Sequence, residues 1–439
     1  MTTSPTTFAN VTPGFPLRDH PLRLSLTNEV HARPPEALTA PIRASLIAML
    51  SGETAAEADR AHLEALCIRA GAAAPTPGGT HHSVDLGTCR LKWERHTEFS
   101  TYTIFRAGGF TDPFAEPALA ALPPDWLKGV AGELLVGVHI ALLPVEAPLP
   151  NAQTLVGIFG SDAYVGARLT GGAATVWTDF RIHGDGFSRI LVADQGMSER
   201  QAGRVAQRLL EIETYRMMAL LALPMARSVL PKMAALESQL AELTDRATRL
   251  KGLEDEKIML DELNGLAAQT ERVAAETGFR FAAARAYYDL VQGRVQELRE
   301  QRIEGLPTLG EFMERRLAPA MKTCATAESR RAALSERVAR ATTLLRTRVD
   351  IAVEAQNADL LRSMDRRADL QLRLQETVEG LSVVAISYYL IGLIGYAAKG
   401  LKAAGVPLNP DVAVVVAIPF VLGVVWKGVR SIREAVGKH

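Results

Sequence analysis

The chain has 439 residues, enough for two or three domains, with 49 basic and 49 acidic side chains and a formal net charge of zero. That balance sets up no global field for nucleic acid, and no basic stretch interleaved with aromatic residues suggests a nucleic-acid surface. Three cysteines, Cys67, Cys89 and Cys324, stand far apart and in no CxxC pairing. That pattern argues against a disulfide framework or a structural zinc site and fits a reducing cytoplasm.

The opening MTTSPTTFANVTPGF lacks the basic-then-apolar pattern of a secretory signal. Residues 1–195 are rich in Gly and Pro and alternate helix-like with strand-like patches, the pattern of a cytoplasmic α/β domain. A helix is expected over 41–70, broken at Ser51-Gly52, with strands over 89–106, 133–143, 154–159, 164–168, 174–182 and 188–193. Prolines and glycines at 75–79, 107–113, 123–124 and 144–150 mark loops.

Several polar rows in this region carry candidate chemistry. Glu29, His31 and Arg33 alternate and share one face if extended, and Asp19 and His20 join them after a turn. Histidines with carboxylates suit a divalent cation or acid–base work, whereas the same charges also suit docking of this peptide on its own domain. The spacing matches no HExxH motif. Lys92, Glu94, His96 and Glu98 form a second alternating row, either a cation site that meets His20 or His31 in space, or a plain polar sheet face. Asp179, Arg181 and His183 form a third row, and His81-His82 is expected in an exposed loop. A divalent cation is the one cofactor these residues suggest. There is no GxxxxGK[ST], no strand-bound GxGxxG and no GxSxG, so no catalytic residue is assigned.

At Gly196 the character changes. Ser198 is an N-cap candidate, with a helix from Glu199, and residues 196–379 form a helical, coiled-coil stalk. Gly252, Gly265, Gly278, Gly305 and Pro307 are the candidate interruptions. Residues 320–379 contain neither Gly nor Pro, and sixty helical residues span roughly 90 Å. Leu334, Val338, Ala341 and Leu345, then Leu360, Met364 and Ala368, form a broken apolar seam for packing within the chain or between copies.

The stalk runs into two hydrophobic stretches. Residues 381–398 carry no charge, and 403–426 carry only Asp411. Eighteen or more apolar residues suffice to span a bilayer core roughly 30 Å thick. The expected spans are 380–398 and 409–427, joined by a non-cytoplasmic loop at 399–408 and followed by a basic tail at 428–439; the alternative is a buried hairpin in a soluble core. Arg362, Arg366, Arg367 and Arg373 precede the first span, and Lys427, Arg430, Arg433 and Lys438 follow the second, against Lys399 and Lys402 between. Both termini are therefore expected in the cytoplasm. Glu379, Ser382, Ile386, Tyr389, Leu393 and Tyr396 share one face of the first span, with Lys399 at its outer end. That stripe is either pore-lining in an oligomer or a helix–helix interface.

Two resemblances follow. Arg18-Asp19-His20-Pro21-Leu22-Arg23 with Leu26, Asn28-Glu29 and His31-Ala32-Arg33-Pro34, together with Trp93–Phe99 and Thr377–Ser382, resembles an uncharacterised family of bacterial membrane-anchored proteins, a domain of unknown function. The layout, an α/β domain, a long helix entering the membrane, a second span and a basic tail, looks like the CorA-type magnesium transporters, which form homopentamers. Their Gly-Met-Asn signature is absent; Gly395-Tyr396-Ala397-Ala398-Lys399 stands in its place, and a ring of lysines repels cations. The leading expectation is an inner-membrane homo-oligomeric channel or transporter with a cytoplasmic sensor domain. The alternative is a membrane-anchored scaffold or signalling protein. Expected partners are the bilayer, further copies of the chain, and a cytoplasmic protein or small ligand.

Overall fold

The computed structural model describes residues 19–24, 26–27, 34–250, 252–405 and 407–436. They form an α+β architecture, with a mixed sheet in the N-terminal half followed by a long helical region. The stretch 41–70 is not one helix. It divides into β1 (Ile42–Leu50) and α1 (Ala56–Arg69), separated at Ser51-Gly52, where Gly52 adopts φ 75°. Eight of the nine β1 residues are buried. Burial on both faces removes the polar–apolar alternation, so its apolar run mimics a helix.

Next come β2 (His81–Asp85), β3 (Arg90–Arg95) and β4 (Ser100–Ala107), an antiparallel meander. The continuous strand expected over 89–106 is therefore a hairpin, turning at His96–Phe99. His81-His82 opens an edge strand rather than lying in a loop. After α2 (Pro124–Lys128) and β5 (Glu133–Leu143), the expected strand 154–159 is helix α3 (Ala152–Phe159). Its signals are local: the Asn151 side chain accepts from the Thr154 N–H, and Gly160 terminates it at φ 70°. Strands β6 (Val165–Leu169), β7 (Ala174–Thr178) and β8 (Ser188–Asp194) complete the N-terminal half.

Helix α4 (Glu199–Leu220) starts at a capping box, in which Ser198 and Gln201 satisfy each other's backbone N–H groups. Then follow α5 (Ala222–Ala247), α6 (Leu253–Glu297), β9 (Gln301–Arg302), α7 (Leu309–Ala403) and α8 (Pro410–Val436). Gly252 and the Gly305–Pro307 stretch separate helices, whereas Gly265 and Gly278 lie inside α6. The sheet order is β2-β3-β4-β1-β5-β8-β7-β6-β9, with β5 and β8 parallel and every other neighbouring pair antiparallel.

The chain divides into two compact units, one of residues up to Glu242 with Gly265–Ala339, the other of Leu243–Asn264 with Arg340 onward. In the first, helices cover both sheet faces. Leu46, Val138 and Ile190 pack with Val205, Leu209 and Ile212 of α4, and with Phe281, Val291 and Met313. On the opposite face Leu91, Trp93 and Tyr102 pack with Leu63 and Leu66 of α1 and Trp126 of α2. Each such buried side chain contributes roughly 1.5–3 kcal/mol. In the second unit, Arg246 forms a two-pronged pair with Glu262 (2.8 and 3.2 Å), and Arg348 pairs with Glu256 (2.9 Å). The seam residues Leu334, Val338 and Leu345 are buried, but Leu360 and Met364 are exposed.

Among the described residues, three helical stretches are long and apolar enough to cross a membrane: Glu199–Ala247, Leu309–Ala403 and Pro410–Ser431. The first contributes Val205, Leu209, Ile212, Ala226 and Met233 to the sheet core, which accounts for its apolar character. In the most apolar windows of the other two, only 11% and 6% of the residues are buried.

Two close fits in the first unit give tests. A Cβ on Gly203 of α4 would stand 1.7 Å from the Glu36 carbonyl oxygen. Gly203→Val is therefore expected to lose about 2–4 kcal/mol, seen as a lowered thermal midpoint; an unchanged midpoint would refute the contact. His139, 3% exposed, stacks on Phe187 at 4.2 Å, with Nδ1 2.9 Å from Ser45 Oγ. Ser45 Oγ accepts from the Leu119 N–H, leaving its own proton for Nδ1. Burial pushes the His139 pKa down to about 4. The unfolded chain protonates this histidine first, so its contribution is complete above about pH 6.5 and falls by about 3 kcal/mol as pH drops towards 4. His139→Gln should flatten the fall of the thermal midpoint across that window, and an unaltered pH profile would count against it.

Candidate functional site

A cavity of about 290 Å³ lies in the first unit between the sheet and α4. The period-2 pleat of β3 sends Leu91 and Trp93 into the α1-side core and turns Lys92 and Glu94 to the opposite face. β4 adds Thr101 and Thr103 to the same wall. Gln207, Glu211 and Tyr215 line it from α4 at spacings of four, and Arg294 of α6 and Glu36 complete it.

The charges meet in opposed pairs. Lys92 Nζ lies 3.1 Å from Glu94 Oε1 and donates to the Pro34 carbonyl at 3.2 Å. Across the cavity Gln207 donates to Glu211 at 2.8 Å, and Arg294 pairs with Glu211 and, at 2.9 Å, with Glu297. Glu36 accepts from Ser83 and from Arg90, the latter at 3.0 Å. Gln207 Oε1 is buried with no hydrogen-bond partner among the described residues. The cavity thus offers carboxylates, cations and hydroxyls together. Such a mixture of charges and hydroxyls is suited to binding a polar ligand.

Of the row Lys92, Glu94, His96 and Glu98, the first three reach the cavity. His96 lies in the turn after β3, stacked on Phe99 at 4.2 Å. Glu98 is diverted by that turn: its carboxylate accepts from Arg280 at 3.2 and 2.5 Å and from the Tyr287 hydroxyl at 3.1 Å. Burial first, and then the Glu98 charge, push the Tyr287 phenol pKa up. His20 sits in an exposed stretch, where its Nδ1 accepts from the Leu22 N–H at 3.2 Å, and Asp19 pairs with Arg23. Glu29, His31 and Arg33 lie outside the described residues. Asp179 accepts from the Arg181 N–H and lies 3.2 Å from His183 Nε2, a self-contained turn. Among the described residues, no group of three or more His, Cys, Asp or Glu gathers to hold a metal ion. All three cysteines are buried, and burial raises the pKa of each.

Sequence reasoning missed Glu36, Gln207, Glu211 and Arg294. Glu211 and Arg294 are 83 positions apart, and only the fold joins them. The available signal was the polar run Gln207, Glu211 and Thr214, which interrupts an otherwise apolar face of α4.

On α7, Tyr389 and Tyr396 are 72% and 75% exposed, and Ile386, Leu393 and Lys399 are exposed as well. Glu379 and Ser382 are half-buried, and the Ser382 hydroxyl donates to the Val378 carbonyl one turn back. The buried side of this segment carries Ser387 and Ala398, and a Cβ on Gly395 would meet Val414 of α8 at 3.2 Å. The tyrosine stripe therefore faces away from α8.

Glu98 provides a test of how the cavity is framed. Glu98→Ala is expected to cost about 3 kcal/mol, because Arg280 is left largely buried without its partner. The double change Glu98→Leu with Arg280→Met should recover most of that loss in the thermal midpoint; no recovery would mean that the pair is not the source.

No curated protein and no solved structure matches the chain. The profile of one family, described as a protein of unknown function (DUF3422), matches residues 18–436. Nothing in these comparisons relates the chain to CorA-type transporters. The chain belongs to the DUF3422 family.

Proposed function

We propose that this is an integral protein of a bacterial inner membrane, in which the end of α7 and α8 cross the bilayer and the sheet unit binds a small polar ligand on the cytoplasmic side. The observation that carries the membrane part is exposed apolar surface. Leu381, Val384, Tyr388, Leu393, Val412, Val415, Phe420 and Val424 all stand more than half exposed on two adjacent helices. Water tolerates contiguous apolar patches of this kind poorly, and lipid satisfies them. The basic residues flanking both ends of the pair support cytoplasmic termini.

The cavity supports the ligand part. Opposed charges around threonine and tyrosine hydroxyls suit a small zwitterion better than a bare anion or cation, because each end finds its own counter-charge. On this reading the protein is a membrane-tethered binding or signalling module. A second reading, a homo-oligomeric ion channel or transporter, draws on the outward tyrosine stripe, which gives each copy a face for a neighbour.

Membrane fractionation tests the first part. The full-length protein is expected to stay in the membrane pellet through alkaline carbonate washing, and release into the supernatant would refute the spans. Mass measurement in mild detergent separates the two readings. A ring whose ion flux in liposomes changes on Glu379→Ala or Lys399→Ala favours transport, and a monomer without flux favours the tether.

A further inference from the structure

A second cavity in the sheet unit, of about 480 Å³, is lined by Gln201, Arg204 and Arg208 of α4, Thr170-Gly171 after β6, Glu297 at the end of α6 and Arg299 in the turn that follows it. Gln201, Arg204 and Arg208 follow at steps of three and four, so they share one face within the first turns of α4. The helix dipole there adds positive potential. The α6 end is held against the turn by a hydrogen bond from the Thr170 N–H to the Leu298 carbonyl at 3.2 Å.

The charge here is unbalanced. Three guanidinium groups face one carboxylate, Glu297, which already accepts from Arg208 at 2.8 Å and from Arg294 at 2.9 Å. Arg204 and Arg299 have no side-chain hydrogen bond or ion pair with any described residue. The Thr170 hydroxyl is buried and likewise has no partner among them. Among the described residues only three non-glycine positions have positive φ, and two of them, Thr170 at 52° and Arg299 at 51°, line this cavity. A β-branched residue in that conformation is strained, and such strain persists where the surroundings hold it in place.

We infer that this cavity is a binding site for a phosphate-bearing anion with at least two negative charges, clamped by Arg204, Arg208 and Arg299 with the Thr170 hydroxyl donating. Arginine suits the task, since its planar fork matches phosphate oxygens in pairs. The site is distinct from the Lys92–Glu94 cavity, where the charges are already matched. Phosphate on a soluble metabolite and phosphate on a lipid headgroup present the same chemistry to the three arginines.

Calorimetric titration of the full-length protein in detergent with pyrophosphate tests the site. Wild type is expected to bind below millimolar concentration, with affinity falling steeply as salt rises. Arg204→Gln and Arg299→Gly should each weaken binding at least tenfold. Arg299→Gly also relieves the positive φ, so its fold is preserved, and an unchanged thermal midpoint verifies this. Dioctanoyl phosphatidic acid that displaces pyrophosphate and binds at least tenfold more tightly identifies a lipid headgroup as the source; weaker binding identifies a soluble phosphate. Absence of pyrophosphate binding by wild type, or equal binding by both variants, overturns the proposal.

Discussion

A nine-stranded sheet has two faces to hide, and the first unit is organised around covering both. β1 lies in the interior of the sheet, paired with β4 on one edge and β5 on the other. Its alternate residues therefore feed two separate cores, one under α4 and one under α1. Polar groups survive between these layers only where they find partners. Arg95 does so on the α1 side, donating to Ser51 and to Asp59, and Lys92 and Glu94 do so on the α4 side. The cavity is the place where that covering is incomplete. Its polar walls follow from the same pleat that builds the apolar cores.

Much of this was legible in the residues. The strand 133–143 and the Ser198 cap match the structure to the residue, because a short apolar run bounded by turn residues and a capping residue are both local signals. The strand character of β1 was hidden, since burial on both faces leaves no period to detect. The short helix α3 was hidden for a related reason: eight mostly apolar residues fit either period, and only Asn151 and Gly160 decide. The same division holds for the site. Lys92, Glu94 and His96 stood out by spacing, and the diversion of Glu98 needed knowledge of the turn. Glu211 and Arg294 could not be paired from sequence, because their contact depends on how α4 and α6 lie over the sheet.

The Lys92–Glu94 and the Arg204–Arg299 cavities differ in what they demand of a ligand. Around Lys92 and Glu94 each charge already has an opposite neighbour, so a ligand must compete with internal pairs, which favours specificity over strength. Around Arg204 and Arg299 the positive charge is unspent, so an anion gains interactions without breaking any. Both are bordered by α4.

The position of β1 also has a consequence for synthesis. The first strand among the described residues occupies the interior of the sheet, and neither of its edges is satisfied until residues 100–107 and 133–143 have left the ribosome. Pairings over such separations are slow, since loop closure precedes any gain from contact. The last sheet edge closes with Gln301 and Arg302, still well before residue 380. Every strand among the described residues is therefore made before the apolar end of α7 and α8 emerge. The strands are thus all available for pairing ahead of the two segments that are apolar enough to cross a membrane.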